Sequence, residues 1–268
     1  MLLERGIDVR AFTRRSARAR DLALLGVEIA VGDFDDPSTV EAAATGCEAM
    51  FLVSADSPSQ VAQEVSAATA AHEAGVRHVV KLSSSDAGQR PYIWSRNHGE
   101  IEAALARYGV PHSVIRPHFF MQNYLSLLHR TGDRTAELRV PGGDGKIGAI
   151  DAHDIARVAA ALLERGEPTY TRHLLTGSRL VSFGDVAAAF SNVTGYDIAY
   201  VDQPETEFVA DAGGTPEGDS DVIALFAETR EGGLAILSDE VERITGTPPR
   251  TIDEFAAANR DAIMSAVD

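Results

Sequence analysis

The stretch His78-Val79-Val80-Lys81-Leu82-Ser83-Ser84-Ser85, read through to Arg116-Pro117-His118-Phe119-Phe120-Met121-Gln122-Asn123, decides the fold. It opens with a short apolar run ending in three serines, the pattern of a buried parallel strand meeting solvent at its carboxyl end. A loop with Gly88 and Pro91 leads into 94–105, where Ile101, Ala104, Leu105 and Tyr108 recur at helical spacing and mark a face that packs on a sheet. Gly109 stops this helix, and Ser113-Val114-Ile115-Arg116 makes the next strand, closed by Pro117. Strand, helix and strand in that order are a crossover unit. In sheets of this kind the chemistry lies beyond the carboxyl ends of the strands. The serines, the helix start around His98 and the segment after Pro117 therefore belong to one edge.

Toward the amino end the same rhythm continues. Leu2 to Arg5 reads as a last helical turn capped by Gly6; strands follow at 7–12, 27–31 and 49–54, and helices at 16–25, 38–44 and 60–74. Gly26 and Gly75 are helix stops, and Asp36 is an N-cap with Pro37 in the first helical position. Alternation of this kind means an α/β protein with a doubly wound parallel sheet.

After Asn123 the rhythm breaks. The spacing predicts a helical segment at 124–129, a turn at 141–145, and a strand at 146–150 running into a helix at 151–164. A last sheet strand is expected at 173–177. Helices at 182–193, 221–229 and 238–245, with a strand at 198–201, form a smaller, mostly helical carboxyl-terminal lobe, and 212–220 is a surface loop or lid. The expected domains are thus 1–118 with 142–178 for the sheet, and 119–141 with 179–268 for the substrate lobe.

With 268 residues the chain is long enough for this arrangement, and its net charge of −16 argues against a nucleic-acid backbone or an anionic membrane as partner. A single cysteine, Cys47, excludes an internal disulfide framework and a cysteine metal cage. No apolar run approaches the ~20 residues of a membrane span, and Met1 to Gly6 carries no secretory apolar region. The expectation is a cytoplasmic protein acting on a small molecule, with a homodimer left open.

Taken together, Gly32-Asp33-Phe34-Asp35-Asp36, Lys81-Leu82-Ser83-Ser84, His98-Gly99-Glu100-Ile101-Glu102 and Arg116-Pro117 through Gln122-Asn123 resemble the NmrA-like, atypical short-chain dehydrogenase/reductase family. Ile150-Asp151-Ala152-His153-Asp154-Ile155-Ala156 and Thr245-Gly246-Thr247-Pro248-Pro249-Arg250 extend the resemblance to the carboxyl end. It implies a Rossmann fold that binds NAD(P)H. One departure stands out, because the family opens with a strand and a glycine-rich turn, and nothing in residues 1–20 serves as G-x-x-G-x-x-G. The pyrophosphate would lose the backbone N–H groups that hold it, and the neighbours of a central strand would have to close up or leave edges unpaired. The expectation is a truncated form, or a start codon assigned too late, of a protein roughly 15–20 residues longer, from the length of a strand, a turn and half a helix. If Met1 is the true start, dinucleotide binding should be weak or absent.

The resemblance also implies roles for individual residues. Arg14 and Arg15 follow the first strand where the family contacts the adenosine ribose; two arginines and no acid favour NADPH over NADH, against a plain reading as a solvated basic turn. Asp33 and Phe34 stand where adenine is contacted, although a turn capping the next helix would explain Asp33 as well. Ser54, Ser83 and Ser84 end strands beside the expected pyrophosphate and nicotinamide ribose. Pro117 and Phe119 would complete the cofactor wall, with Trp94, Phe120, Met121 and Asn123 toward substrate and some of the aromatic and Met cluster in the core.

The wider superfamily carries Tyr-x-x-x-Lys on the helix, the Lys lowering the Tyr pKa. Counting back from Glu102, the Lys position here is His98 and the Tyr position is Trp94, which has no proton to give. Tyr92 and Arg96 have the same spacing, but Tyr92 follows Pro91 and should precede the helix. His98 is the candidate catalytic group, either orienting the nicotinamide or donating a proton to substrate with a pKa near neutrality; the bland alternative is a satisfied core histidine. Lys81 needs a buried partner, with Glu102 or the cofactor as candidates. Asp151 and Asp154 read as a helix cap, and no metal site is expected. The absent phenol fits hydride delivery to a quinone or another conjugated electrophile. The rival is an NmrA-type redox-sensing regulator that binds the dinucleotide without turnover and docks a protein partner; a cofactor-free paralogue is a third reading.

Overall fold

The computed structural model describes residues 1–14, 19–211 and 220–267. The chain divides into two compact units, one of Met1–Arg116 with Ala156–His173 and one of Pro117–Ile155 with Leu174–Asp268. In chain order the elements are β1 (Arg10–Thr13), α1 (Arg20–Leu24), β2 (Glu28–Val31), α2 (Pro37–Ala44), β3 (Ala49–Leu52), α3 (Gln60–Glu73), β4 (His78–Leu82), α4 (Ile93–Arg107) and β5 (His112–Pro117). These are followed by β6 (Leu128–Gly132), β7 (Thr135–Val140), β8 (Lys146–Ile147), α5 (Ala152–Arg165) and β9 (Arg172–Leu175). Last come β10 (Val181–Ser182), α6 (Phe183–Thr194), β11 (Asp197–Asp202), α7 (Glu205–Asp211), α8 (Ser220–Arg230), α9 (Glu240–Thr245), α10 (Ile252–Ala258) and α11 (Arg260–Val267).

The first unit is the α/β layer that the sequence announces. Its main sheet runs β3-β4-β5-β9, with β3, β4 and β5 parallel, and α3 and α4 supply the crossovers. Ala67, Ala68 and Ala71 of α3 and Ile101 and Leu105 of α4 pack with Leu52 and Val79 in one buried core. Alanines let the two helices lie close, and truncating Leu105, which is 1% exposed, should cost about 2–5 kcal/mol. Gly109 adopts φ +68°, so α4 can end in a left-handed residue while the Val110 N–H bonds back to the Leu105 carbonyl. Asp36 caps α2 through the Ser38 N–H, with Pro37 opening the helix.

β1 and β2 form a separate parallel pair. Among the described residues β1 pairs with β2, and β3 pairs with β4. Val31 at the end of β2, Phe51 in β3 and Val53 just after it are 59%, 39% and 43% exposed.

The second unit holds a three-stranded sheet, β11-β7-β6, and a two-stranded pair, β10-β8, packed with helices on an aromatic core around Tyr124, Phe183, Phe190 and Phe255. Here the structure departs from the helical segment expected at 124–129. Met121–Leu127 is a 3-10 turn, and Leu128 begins a strand of the β6–β7 hairpin. The signal was present, since Ala136, Leu138 and Val140 alternate inward along β7. Residues 142–155, expected with the sheet, fall in this unit, where Ile147 and Ala149 join its core. The expected loop at 212–220 lies, but for Ser220, outside the described residues.

Candidate functional site

At the carboxyl ends of β3 and β4, sequence places a lysine mid-strand and serines at the strand ends. Burial then forces partners on them. The Lys81 side chain is fully buried, with its ammonium 2.7 Å from Glu64 Oε2, and Glu64 is fully buried too. Glu64 Oε1 accepts from the Ser54 hydroxyl (2.8 Å) and backbone N–H (3.2 Å). Lys81 also donates to the Leu82 carbonyl and, at 3.2 Å, meets His98 Nδ1. The ion pair with Glu64 and the contacts to Leu82 and His98 are what keep a buried ammonium in place. The expected partner was Glu102 or a cofactor; the partner is Glu64. Sequence reasoning missed Glu64, although Gln60 and Glu64 stand one turn apart on the alanine-rich inward face of α3.

Glu102, one turn beyond His98, is a second node. It accepts from Ser83 Oγ (2.6 Å), from Arg116 Nε (2.9 Å) and Nη2 (2.7 Å), and from Arg172 Nε (2.6 Å). Burial pushes this carboxyl up, but the hydrogen bonds from Arg116, Ser83 and Arg172 outweigh it and hold the pKa below the usual range. Burial pushes Lys81 down against the attraction of Glu64.

His98 contradicts the expectation of a pKa near neutrality. Burial, and then the Lys81 cation, push it from 6.5 to about 3. The imidazole is therefore neutral. Because a protonated lysine can only donate, Nδ1 is the acceptor and the ring proton sits on Nε2. Among the described residues Nε2 has no hydrogen-bond partner. The close approach of the preceding loop to this part of α4 needs glycine, since a Cβ on Gly99 would lie 2.6 Å from Gly88 Cα.

The other candidates in this unit fall into two groups. Ser54 and Ser83 give their hydroxyls to Glu64 and Glu102. Ser84 Oγ, Ser57 Oγ and Gln60 Nε2 are buried with no partner among the described residues. Gln60 is fully buried, and its Oε1 accepts from Asn97, the neighbour of His98. An orphaned polar atom near a strand end is what a polar ligand completes, so Ser84, two residues past β4, fits a ligand such as the ribose of a dinucleotide. Asp33 Oδ1 accepts from the Asp35 N–H, the turn role weighed against adenine contact, and Phe34 packs on Phe12 at 5.4 Å between centroids. Arg14 is exposed directly after β1, and Arg15 lies outside the described residues. Trp94 stacks on Tyr92 at 4.9 Å; Tyr92 is the residue that precedes α4, as its Pro91 neighbour implied.

In the second unit, Pro117 is buried, Met121 is 2% exposed and part of the core, and Phe119 packs beside Tyr124 at 5.2 Å. Phe120 bridges to Ile150, and Asn123 is exposed. His118 is pushed to about 4 by burial and accepts from the Phe119 N–H. Asp151 caps α5 through the His153 N–H and is held by Gln122 and Arg250, while Asp154 accepts from the Arg250 N–H. This explains the paired acids as an anchor for the Pro248-Pro249-Arg250 segment. Among the described residues no cluster of metal-ligating side chains occurs, and no helix is long and apolar enough to cross a membrane.

Comparison with known proteins gives the same architecture. The chain is 33% identical over 270 residues to the NAD(P)H azoreductase of Xenophilus azovorans, covering 99% of this chain and 94% of that protein. Its structure is similar to that of the NADPH-dependent quinone oxidoreductase QOR2 of Escherichia coli complexed with NADPH, with a TM-score of 0.78 and 26% identity over 93% of this chain and 89% of that one. The triphenylmethane reductase of Citrobacter sp. complexed with NADP(H), 19% identical over 94% of this chain and 90% of that one, shares the Rossmann-like fold at a TM-score of 0.77. Residues 1–233 match the NmrA-like family, and with the α/β sheet, the serine edge and the His98 helix all in place, the chain belongs to that family.

Proposed function

We propose that the chain is an NADPH-dependent reductase delivering hydride to a small conjugated electrophile such as a quinone. The observation that carries this is the neutral imidazole of His98, fixed by Lys81 with Nε2 open, on a helix where Trp94 stands in place of a phenol. Such a site can polarise an acceptor through one N–H, and it suits substrates that need little acid help. The names of the similar azoreductase and quinone oxidoreductase support the same class of acceptor.

In this reading Arg14 and Arg15 take the 2′-phosphate, which selects NADPH over NADH, and Asp33 and Phe34 flank the adenine. Ser54 and Ser83 act through their small size, since their hydroxyls and backbone N–H groups are engaged, whereas Ser84 offers its hydroxyl. Pro117 and Phe119 line the cofactor, and Trp94, Phe120 and Asn123 the substrate, whereas Met121 belongs to the core. The bound dinucleotide would supply the hydride. The setting is cytoplasmic. The test is NADPH oxidation by the purified chain against a panel of quinones and azo dyes. Turnover of at least one acceptor is expected. NADPH binding without turnover would overturn the reading in favour of a redox-sensing regulator.

A further inference from the structure

The mid-strand lysine is a buried charged group at a position where a sheet needs only an apolar side chain. A β4 position facing the core would ordinarily hold an aliphatic residue, as Val79 and Val80 beside it do. Keeping an ammonium there demands a buried carboxylate on a different element, Glu64 of α3, held in turn by Ser54. One of the ammonium's three protons is then directed at His98 Nδ1, 3.2 Å away. The result is a continuous line from Ser54 through Glu64 and Lys81 to His98, ending at Nε2.

We propose that this line is a proton relay, in which His98 passes its Nε2 proton to the reduced substrate and Lys81 replaces it through Nδ1. The proposal rests on the reductase reading above. A substrate that has accepted hydride from a reduced nicotinamide carries negative charge on oxygen or nitrogen. The Nε2–H bond breaks as the new O–H or N–H bond forms on the substrate. In the same event an Nζ–H bond of Lys81 breaks and an Nδ1–H bond forms. Lys81 is left as a neutral amine beside the Glu64 carboxylate, and His98 remains neutral throughout. The cycle closes when Nε2 takes a proton from water and the Nδ1 proton returns to Lys81.

The relay answers a difficulty that the geometry creates. A neutral imidazole is a feeble acid, because losing Nε2–H outright would leave an imidazolate. A neighbouring ammonium removes that barrier, since the acid that is actually consumed is the lysine. The surroundings set its strength: Glu64, Glu102 and Asp56 favour the charged lysine, and burial opposes them. His98 faces Lys81 of β4, Glu102 of its own helix and Arg116 of β5, and burial first, then the two cations, keep it from holding a second proton. Lys81 acts through His98 and touches no substrate. It is a positioning residue that sets the tautomer and holds the reserve proton.

Three variants of the full chain test this: Lys81→Arg, Lys81→Met and His98→Gln. Arginine keeps the charge and the hydrogen bond to Nδ1 but does not give up a proton. Glutamine keeps a donor and an acceptor but passes no proton between them. With NADPH and a para-quinone, each variant should lose at least a hundredfold in kcat, the range of a positioned acid, with KM for the quinone within about threefold. Nitrogen NMR of histidine-labelled protein supplies a readout independent of turnover: wild type should show the Nε2–H tautomer at His98, and Lys81→Met should raise its pKa. An Nδ1–H tautomer in wild type overturns the relay whatever the rates. If wild type turns over and Lys81→Arg or His98→Gln, folded by circular dichroism, keeps its kcat, the relay alone is overturned. If wild type reduces no acceptor, the reductase reading itself has failed.

Discussion

The ammonium of Lys81 stands 2.7 Å from the carboxylate of Glu64, and both side chains are wholly excluded from solvent. Neither charge has water to fall back on. Removing one partner strands the other in a medium of low polarity, which costs about 3–5 kcal/mol. Lys81→Met and Glu64→Gln should each lower the free energy of unfolding by that order, and the double variant should cost clearly less than their sum. Urea titrations of the four proteins measure the coupling; strict additivity would show that the two charges do not depend on each other.

Adjacent serines should behave oppositely. Ser83 donates to the Glu102 carboxylate at 2.6 Å, so Ser83→Ala should lose about 1.5–3 kcal/mol, as expected for a hydrogen bond to a charged group. Ser84 Oγ is buried without a partner, so Ser84→Ala should leave the melting temperature unchanged or raise it slightly. Its effect should appear instead as NADPH binding weakened about fivefold to tenfold, the worth of one neutral hydrogen bond. Calorimetry for stability and fluorescence titration for binding separate the two. A Ser84→Ala protein that binds NADPH as wild type does would remove Ser84 from the cofactor site.

Buried and half-buried histidines make the fold sensitive to mild acid. Their pKa values in the folded state lie below the ordinary 6.5: about 3 for His98, about 4 for His118, and lowered for His78 by burial and by His112. Between those values and 6.5 the unfolded chain binds more protons than the folded one, so stability falls as pH falls. The contribution is complete above about pH 6.5 and is lost progressively toward pH 3–4, ahead of the carboxylates, whose unfolded pKa values are near 4. Melting temperatures measured from pH 7.5 to 4.5 should decline over that range, and His118→Phe should flatten the decline. A flat profile down to pH 5 would show that these rings are not held neutral by burial.

Hydrogen exchange should divide the first unit. Every residue of β1 is only partly buried, whereas four of the five residues of β4 are fully buried and paired on both sides. Amides of β1 and β2 should exchange through local opening well below the global unfolding free energy, and those of β4 and β5 near it. Equal protection across both groups would mean that the β1–β2 pair is tied to the main sheet more firmly than its hydrogen bonds indicate.

Much of this molecule could be read from local chemistry. The period of the apolar residues, the Asp36-Pro37 start and the Gly109 stop delimit their elements, because caps and helix faces depend on neighbours within a few positions. The β6–β7 hairpin was legible in the alternation of Ala136, Leu138 and Val140. The family resemblance rested on short motifs and survived comparison over residues 1–233.

What no local pattern contained was which charge meets which. Lys81 and Glu64 are seventeen positions apart and Lys81 and His98 the same again; their meeting depends on α3 and α4 packing over β4. By itself the sequence determined an α/β sheet, the family the chain belongs to and a histidine where the wider superfamily carries a lysine. Only the tertiary structure decided that this histidine is neutral and which nitrogen carries its proton, because burial and an adjacent ammonium exist only once the chain has closed around them.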